Sequence, residues 1–420
     1  MAKASLRVSV IGLGYIGLPT AVLIAKSGVD VLGVDNNEAI IKCLNKGSLH
    51  IFEPGLDKLL KNALNNGKFS AVSQPKQSNV FIITVPTPIN NKNQPDISYI
   101  LNAVHSISSV IKKDDLIILE STSPVGTTEK VSSLLQKLRK DLILPSTDQK
   151  NNDVNIAYCP ERVIPGNTLH ELVHNDRVLG GITDQCSKQA EEFYKLFIKG
   201  NCFRTDSRTA ELSKLIENSY RDVNISFANE VSMIADEMGI NAWELINISN
   251  RHPRVNILNP GPGVGGHCIP VDPWFIVASS KRADLIKTAR EVNLRKTQFV
   301  KKQILKEIKE IRSKKSKKRN ITITFLGLTF KPDIDDLRDS PALEIVSHIV
   351  NESNLSILIV EPNIKLLPLS ISEKSKLQNL DSAIKKSDII VNLVAHKEFR
   401  KINKSLLKNK SIMDFQGTFS

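Results

Sequence analysis

Short apolar runs alternate with amphipathic stretches through the first half of the chain. The apolar runs predict buried strands at Leu6–Ile11, Val29–Val34, Val80–Val85, Leu116–Glu120 and Val154–Tyr158. Apolar residues at helical spacing predict helices between most of these strands, at Pro19–Ser27, Ile97–Ile111 and Glu129–Leu138. Apolar strands that alternate with helices are typical of a parallel sheet covered by helices on both faces, so we expect an α/β fold.

The pattern changes after about Thr205. Helical spacing of apolar residues predicts two long helices, Ala210–Met238 and Ala283–Ile311, with a loop rich in proline and glycine between them. Strands are predicted again at Ile321–Phe325, Ser356–Val360, Ile389–Leu393 and Ile412–Phe415, with a helix at Pro341–Val350. We therefore expect two Rossmann-like, doubly wound parallel-sheet domains, 1–205 and 320–420, joined by a central helical region, 206–312.

The helix predicted over Ala210–Met238 has an apolar face whose partner the sequence leaves open. The residues of this face are Leu212, Leu215, Ile216, Val223, Phe227, Val231 and Ile234. The face either packs on the flanking domains or forms the seam between two copies of the chain. A homodimer is the working expectation.

Composition excludes several classes of protein. The chain has 420 residues, 41% of them apolar and 24% charged, which is typical of a globular protein with two or three domains. No run approaches the roughly 18 uninterrupted apolar residues of a membrane helix, and the N-terminal residues lack an export signal. The five cysteines follow neither a metal-ligand spacing nor a disulfide framework. We expect a cytoplasmic protein with free thiols, no metal site and no membrane partner.

The net charge of +13 favours anionic partners. Part of the excess lies in the run Lys314–Arg319, which we interpret as a solvated linker. Nucleic-acid binding is the alternative interpretation of this run. A short basic run without interleaved aromatic residues is weak evidence for it, so we expect no nucleic-acid partner.

A glycine motif follows the first predicted strand and opens the first predicted helix. In the segment Gly12–Gly17, the glycines permit a tight turn and let the backbone approach a pyrophosphate at the helix N-terminus. Asp35 closes the second strand about 20 residues further on, where a carboxylate would bind a ribose 2′-hydroxyl and repel a 2′-phosphate. The order of these features predicts an NAD site rather than an NADP site: a strand, the glycines, a helix, a second strand and then the acid.

Two further segments end predicted strands, Val85–Pro88 and Ser121–Gly126. Ligands of open parallel sheets bind beyond the carboxyl ends of the strands, so both segments are candidates to face a cofactor or substrate. The simpler interpretation is a pair of ordinary turns, and their position favours the functional one.

Cys268 lies in the loop Pro260–Trp274, next to Gly265, Gly266 and His267. A single cysteine is usually a small buried apolar residue. Here the glycines allow a ligand to approach the backbone, and a neighbouring cation would favour the thiolate. Asp272 follows as a possible base or water-positioning group. The residues alone leave both interpretations open.

Four polar residues share one side of the helix predicted over Ala210–Met238: Glu211, Lys214, Asn218 and Arg221. A solvated face with a Glu–Lys pair is the interpretation that the residues alone favour. The functional interpretation places Lys214 and the Asn218 amide at an oxygen that becomes negative during hydride transfer. Lys331, Asp335, Asp336 and Arg338 present a similar choice between a polar loop and a diphosphate site.

These motifs occur in one order along nearly the whole chain. They are Gly12–Gly17, Ser121–Gly126, Cys159–Arg162, Ala210–Asn218, Gly265–Cys268 and Phe330–Pro332. Together they resemble the UDP-glucose/GDP-mannose dehydrogenase family. The resemblance implies an NAD-dependent, four-electron oxidation of a sugar C6 alcohol to a carboxylate, with a UDP-sugar as substrate and two NAD molecules consumed in turn.

The resemblance also implies roles for individual residues. Cys268 would hold the C6 aldehyde as a thiohemiacetal and then as a thioester. Lys214 and Asn218 match the pair that stabilises the oxyanion, and Asp272 matches its partner in acid–base chemistry. The implied catalytic residues are Cys268, Lys214, Asn218, Asp272, Glu161 and Thr122, of which the last two match positions near the hydrolytic water and the nicotinamide.

Binding residues follow from the same resemblance. The implied cofactor-binding residues are Gly12, Gly14, Tyr15, Ile16, Gly17, Asp35, Thr87, Thr122 and Lys331. The implied substrate-binding residues are Glu161, Arg162, Lys214, Asn218, Arg221, Arg251, Arg254, Gly265, Lys331 and Arg338. Arg251 and Arg254 match the region that reaches the neighbouring subunit's substrate, and the sequence does not decide between them.

One segment of the chain and one residue that differs from the family pattern indicate which sugar is the substrate. Asn250–Asn256, leading into Pro260–Trp274, is similar to bacterial members of the family that oxidise UDP-N-acetyl-D-mannosamine. Glucose-specific members carry a second glutamate where this chain has Pro165, which argues against UDP-glucose and leaves hydrolysis to Glu161 and Asp272. We expect UDP-N-acetyl-D-mannosaminuronate as product, for surface-polysaccharide synthesis. A UDP-N-acetylglucosamine 6-dehydrogenase and a single-step NAD-dependent alcohol dehydrogenase are the alternatives.

Overall fold

The computed structural model describes residues 6–147, 151–164, 166–314, 320–352 and 355–419. It confirms the expected α/β fold, with two doubly wound sheets and a helical region between them in the chain. The chain forms two compact units, Met1–Glu217 with Trp274–Ser280, and Asn218–Pro273 with Lys281–Ser420. The division into three domains at 1–205, 206–312 and 320–420 stays a prediction. Residues 315–319 of the basic run lie outside the described residues.

The first unit contains an eight-stranded sheet of order β3-β2-β1-β4-β5-β6-β7-β8. Its strands are β1 (Arg7–Ile11), β2 (Asp30–Val34), β3 (Phe69–Val72), β4 (Val80–Ile83), β5 (Leu116–Leu119), β6 (Asn155–Tyr158), β7 (Arg177–Gly181) and β8 (Cys202–Asp206). The helices that connect them are α1 (Gly17–Lys26), α2 (Glu38–Asn45), α3 (Leu56–Asn65), α4 (Ser98–Ser108), α5 (Thr127–Leu138), α6 (Thr168–His174) and α7 (Asp184–Tyr194). Strands β4 and β5 are buried at every position, which explains their unbroken apolar runs.

One edge of this sheet departs from the predicted parallel arrangement. Strand β7 runs antiparallel to β6, with Ala157 opposite Gly181 and Tyr158 opposite Gly180, and β8 runs parallel to β7. The sequence did not predict these two strands, because β7 and β8 lack the apolar runs that identify buried strands. A Cβ at Gly180 would lie 2.5 Å from the Cβ of Ala210, so this position of β7 has no room for a side chain.

The chain between the two sheets forms four helices. They are α8 (Ser207–Glu237), α9 (Ala242–Ser249), α10 (Asp272–Ser279) and α11 (Asp284–Lys314). In the second unit, α11 is tied to α8 by buried polar side chains. Asp222 Oδ1 accepts hydrogen bonds from Arg290 Nη1 at 2.6 Å and from Asn293 Nδ2 at 2.8 Å. These hydrogen bonds offset part of the free-energy cost of burying the two charges.

The second unit also contains a five-stranded, wholly parallel sheet of order β11-β10-β9-β12-β13. Its strands are β9 (Ile321–Leu326), β10 (Leu355–Val360), β11 (Ser375–Leu377), β12 (Ile389–Asn392) and β13 (Ser411–Asp414). Its helices are α12 (Pro341–Ile349), α13 (Leu369–Ser372) and α14 (Leu380–Lys386). Val300, Ile304 and Ile308 of α11 join the core of this sheet, so α11 and the sheet are packed together in one unit.

Two classes of site are absent from the described part of the chain. None of its helices is both long and apolar enough to cross a membrane. In the same ranges, no group of three or more histidine, cysteine, aspartate or glutamate side chains is arranged to hold a metal ion.

Candidate active site

The predicted glycine turn lies at the carboxyl end of β1, where the strand order of the first sheet reverses between β1 and β4. Gly12 has a φ of +94°, and a Cβ there would lie 3.0 Å from the carbonyl oxygen of Thr84. A Cβ at Gly17 would overlap the Gly12 carbonyl oxygen and Thr84 Oγ1. A Cβ at Gly14 would meet nothing within 4 Å. Two glycines are therefore needed to close the turn, and the third leaves open space before α1, which fits a pyrophosphate.

Asp35 lies next to this turn, at the carboxyl end of β2. Its Oδ2 accepts a hydrogen bond from the Leu13 N–H at 3.0 Å, and its Oδ1 accepts one from the Asn37 N–H at 2.9 Å. Each carboxylate oxygen has a further lone pair for a ribose hydroxyl. The pairing fixes a negative charge beside the turn, and this arrangement fits the ribose of NAD.

The segments that follow β4 and β5 are joined to each other. Ser121 Oγ donates to the carbonyl oxygen of Val85 at 2.7 Å, and Thr87 Oγ1 donates to the carbonyl oxygen of Thr122. Both threonines are half-buried. Thr87 and Thr122 therefore lie together at the same sheet edge as the glycine turn.

Glu161 follows β6 at this edge and is 9% exposed. Burial raises the pKa of its carboxyl group to about 7, although the positive charges of Lys214 and Arg177 lower it. The negative charge of Glu120 raises it further. A carboxyl group that titrates near neutral pH is suited to act as a general base.

The polar face of α8 is not solvated, so that expectation is wrong for Glu211, Lys214 and Asn218, which are 0%, 9% and 8% exposed. Glu211 does not pair with Lys214. Its carboxylate accepts hydrogen bonds from the Gly126 N–H at 2.6 Å and from the Thr128 N–H at 2.8 Å, at the N-terminus of α5. Lys214 is thus left as a buried cation whose charge acts on Glu161.

The cysteine loop belongs to the second unit and ends where α10 begins. The N–H groups of Val271 and Asp272 donate to the carbonyl oxygen of Cys268 at 3.1 Å and 2.9 Å, which forms one tight turn. Cys268 is exposed, whereas Asp272 is 3% exposed. Asn218 Nδ2 donates to Asp272 Oδ2 at 2.5 Å. Three predicted catalytic residues, a thiol, a carboxylate and an amide, are therefore arranged around this turn.

The glycines of the loop allow it to pack closely against the segment that follows β9. A Cβ at Gly265 would lie 2.5 Å from the carbonyl oxygen of Asp339, and one at Gly266 would lie 2.9 Å from the ring of Phe330. Lys331 and Arg338 belong to this same segment and are exposed. The structure therefore brings the cysteine loop next to the residues predicted to bind the sugar nucleotide.

Comparison with known proteins gives matches to one family along the chain. Models of the UDP-glucose/GDP-mannose dehydrogenase family match in three parts, the NAD binding domain at 6–198, the central domain at 208–295 and the UDP binding domain at 324–420. The chain belongs to the UDP-glucose/GDP-mannose dehydrogenase family. It is therefore an NAD-dependent nucleotide-sugar dehydrogenase.

Relatives within this family are similar over their full lengths. An NDP-N-acetyl-D-galactosaminuronic acid dehydrogenase of Ralstonia nicotianae is 49% identical, with 98% of this chain and 96% of the relative covered. A UDP-N-acetyl-D-mannosamine dehydrogenase of Campylobacter jejuni is 52% identical, with 94% and 96% covered. The solved structure of a UDP-D-ManNAc dehydrogenase from Pyrococcus horikoshii is 37% identical, with a TM-score of 0.85 and 99% and 96% covered.

Several predicted binding residues of this family member are already engaged or face solvent. Arg162 pairs with Glu217, with 2.7 Å between its Nη2 and Glu217 Oε1. Arg338 Nη2 lies 2.6 Å from Asp336 Oδ2. The remaining predicted arginines, Arg221, Arg251 and Arg254, are exposed, as are Tyr15 and Lys331, and Ile16 is half-buried. The binding roles of all these residues stay predictions.

His267 does not supply the cation that the sequence argument placed beside Cys268. Burial and the neighbouring Arg338 guanidinium lower its pKa, with Asp339 and Asp336 opposing them. A lowered pKa disfavours the imidazolium, so the structure gives no support to His267 as the cation that activates the thiol.

The sequence argument missed a second set of buried polar residues in the first unit. Glu53 accepts hydrogen bonds from the Gly166 N–H at 2.9 Å and the Thr168 N–H at 2.8 Å, and so anchors the segment that follows Glu161. Its only sequence signal is an acid before Pro54-Gly55, which is also typical of an ordinary turn. Glu120 and Arg177 were missed because one ends an apolar strand and the other begins the unrecognised strand β7.

Proposed function

We propose that this dehydrogenase oxidises C6 of UDP-N-acetyl-D-mannosamine to the carboxylate, through covalent intermediates on Cys268. The observation that carries the proposal is the turn in which an exposed thiol residue precedes the buried Asp272, whose carboxylate accepts a hydrogen bond from Asn218 at 2.5 Å. A single hydride transfer would need no nucleophile. A thiol beside an anchored carboxylate and amide supports a second oxidation.

NAD, when bound, accepts one hydride in each of the two oxidations. Gly12 and Gly17 close the turn, the open space at Gly14 would give the pyrophosphate access to the backbone at α1, and Asp35 would hold the ribose. The fixed carboxylate of Asp35 would repel a 2′-phosphate, which supports NAD as the cofactor over NADP.

The first oxidation gives an aldehyde at C6, and Cys268 holds it. The thiolate sulfur forms a bond to C6, the carbonyl oxygen becomes an oxyanion, and a proton converts it to the thiohemiacetal. We assign the stabilisation of this oxyanion to the Lys214 ammonium and the Asn218 amide. Covalent attachment also keeps the aldehyde from leaving between the two oxidations.

The second oxidation and hydrolysis release the product. Loss of a hydride from C6 and of the hydroxyl proton converts the thiohemiacetal to a thioester. Water then adds to the thioester carbonyl, the C6–sulfur bond breaks, and the thiolate of Cys268 leaves. We assign proton removal from water to Glu161, whose pKa of about 7 suits that task, and assistance to Asp272.

Binding of the UDP-sugar is assigned to the second sheet. The segment 324–420 matches the UDP binding domain of the family. The exposed Lys331 and Arg338, next to the cysteine loop, supply cations for a diphosphate. The net charge of +13 favours such an anionic substrate.

The N-acetylmannosamine sugar is supported by the relative from Campylobacter jejuni and by Pro165, which replaces the second glutamate of glucose-specific members. Pro165 lies outside the described residues. The relative from Ralstonia nicotianae, at 49% identity, makes an N-acetylgalactosamine nucleotide the second candidate substrate.

The deciding experiment follows NADH formation with four UDP-sugars side by side: those of N-acetylmannosamine, N-acetylgalactosamine, N-acetylglucosamine and glucose. We expect the largest kcat/KM with the first. If UDP-glucose alone reacts, the substrate assignment is wrong. One NADH per sugar would favour the single-step alcohol dehydrogenase.

We also propose that the enzyme is a homodimer that forms through α8. Apolar side chains on this helix are exposed although the family's central domain contains it: Leu212, Ile216, Tyr220, Phe227 and Ile234. Tyr220, Phe227 and Ile234 recur at heptad spacing, which is typical of a helix–helix seam. Light scattering should give the mass of two chains, and a Phe227→Glu variant should give that of one.

A further inference from the structure

A buried group of charged and polar side chains lies next to Glu161, and the proposed reaction does not use it. Glu120 and Arg177 are each 3% exposed, and Tyr194 is fully buried. Tyr194 Oη donates to Glu120 Oε1 at 2.5 Å, and the Arg177 Cζ lies 5.4 Å from the centroid of the Tyr194 ring. Charged side chains are rarely buried in this way unless they pair with one another or belong to a functional site.

The register of the sheet explains why these side chains meet. In the parallel pair, Leu119 of β5 lies opposite Tyr158 of β6, so the next residues, Glu120 and Cys159, leave the sheet side by side. In the antiparallel pair, Tyr158 lies opposite Gly180 of β7. Because β7 runs antiparallel to β6, its first residue, Arg177, lies at the edge of the sheet where β5 and β6 end. The antiparallel strand β7 thus places the positive charge of Arg177 at the same edge of the sheet as Glu120 and Glu161, which follow the parallel strands β5 and β6.

No single carboxylate among the described residues neutralises the charge of Arg177. Its Nη2 donates to the carbonyl oxygen of Leu172 at 3.1 Å. Within the described residues, no acceptor receives its Nε–H, and Glu120 Oε2 and Glu161 Oε1 likewise have no hydrogen-bond donor there. The Leu172 carbonyl and the Tyr194 ring are neutral, so they do not neutralise the guanidinium. Its positive charge therefore acts on both carboxyl groups.

The groups that act on each member are known. Burial raises the pKa of Glu161, Lys214 and Arg177 lower it, and Glu120 raises it. Burial also raises the pKa of Glu120, while Arg177 and the Tyr194 hydroxyl lower it. Arg177 itself faces Cys159, Tyr194, Glu120 and Glu161. Arg177 thus opposes the effect of burial on both carboxyl groups.

We propose that Arg177 is a positioning residue that divides its charge between Glu120 and Glu161, and so sets the protonation state of Glu161 for thioester hydrolysis. The proposal rests on the role of Glu161 in the function proposed above. It assigns Arg177 no contact with the substrate or cofactor.

The proposal predicts shifts of opposite sign from two positions. Without the charge of Arg177, Glu161 holds its proton more tightly. Without the charge of Glu120, the whole guanidinium charge acts on Glu161, which then releases its proton more easily. A purely structural role for this group would not separate the two variants by the direction of their effect.

The test is a pH titration of the Glu161 carboxyl group by infrared difference spectroscopy on the intact enzyme. The infrared band of the Glu161 carboxyl group is identified as the one that disappears in the Glu161→Gln variant. We expect Glu120→Gln to lower the midpoint by about one pH unit, Arg177→Met to raise it by about one unit, and Arg177→Lys to restore it. Arg208→Met is the matched control, since it removes an exposed arginine that pairs with Glu129 at 2.7 Å, and it should leave the midpoint unchanged.

Hydrolysis provides the second readout, as the pH dependence of thioester decay in a single turnover. Its midpoint should follow the infrared midpoint in every variant. Shifts of the same sign, or no shifts, overturn the proposal, and if Arg177→Met does not fold, Glu120→Gln decides alone. If Glu161→Gln hydrolyses the thioester at the normal rate, the role of Glu161 in the proposed function fails, while the infrared midpoints still test the charge division.

Discussion

Replacing Glu161 by glutamine should remove a loss of folding stability that the native protein undergoes as the pH rises through neutrality. The carboxyl group has a pKa of 4.5 when free and about 7 in the folded chain, mainly because it is buried. Between these two values the unfolded chain loses the proton and the folded chain keeps it. Folding stability therefore falls by about 1.4 kcal/mol per pH unit across this window, or about 3 kcal/mol in total. Glutamine has no proton to lose, so the variant escapes this loss.

Urea unfolding of both proteins at about pH 5.5 and about pH 8 measures the effect. The stability of the variant relative to the native protein should rise by about 2 kcal/mol between the two conditions. Effects of the substitution that do not depend on pH cancel in this difference. Glu129→Gln is the control, because Arg208 lowers the pKa of Glu129 and that group is ionised in both states across the window. An equal stability difference at both pH values would refute the assignment of a buried, proton-holding carboxyl group at Glu161.

Three further predictions concern the cofactor turn and its supports. Asp35→Ala should raise the KM for NAD about tenfold to a hundredfold and weaken the preference over NADP, since it removes hydrogen bonds to a charged acceptor; unchanged initial-rate ratios would contradict the ribose assignment. Gly17→Ala should destabilise the fold because its Cβ overlaps the backbone, whereas Gly14→Ala should weaken NAD binding with little change in unfolding free energy; the reverse outcome, from urea unfolding and NAD titration, would be inconsistent with the turn. Glu211→Ala should lower stability by about 3 kcal/mol, because it leaves the Gly126 and Thr128 donors unpaired; a loss below about 0.5 kcal/mol would show that they find other partners.

The parts of the fold that local patterns define were predictable from the sequence. Strands β4 and β5 are buried on both faces, so apolar runs alone identified them. Gly12 and Asp35 were predictable because the turn needs a positive φ and the acid must end the next strand. Each of these features depends on residues that are near one another in the chain.

Features that depend on distant pairing were not predictable. The antiparallel strand β7 carries two glycines and begins with Arg177, so neither hydrophobicity nor alternation marked it. The burial of Lys214 and Asn218 could not be read from helical spacing, which equally fits a solvated face. For those two residues the family resemblance carried the expectation. The burial of His267 and its proximity to Arg338, which both lower the pKa of the imidazole, required the fold of the second unit.

The number of NADH molecules formed per sugar, in the native enzyme and in Cys268→Ala, tests the covalent two-step oxidation most directly. With limiting UDP-N-acetyl-D-mannosamine, the native enzyme should form about two NADH and the carboxylate. Cys268→Ala should lose the second oxidation and form no carboxylate. If Cys268→Ala still yields two NADH and the uronate at a comparable rate, the thiol does not hold the aldehyde and the proposed mechanism is wrong.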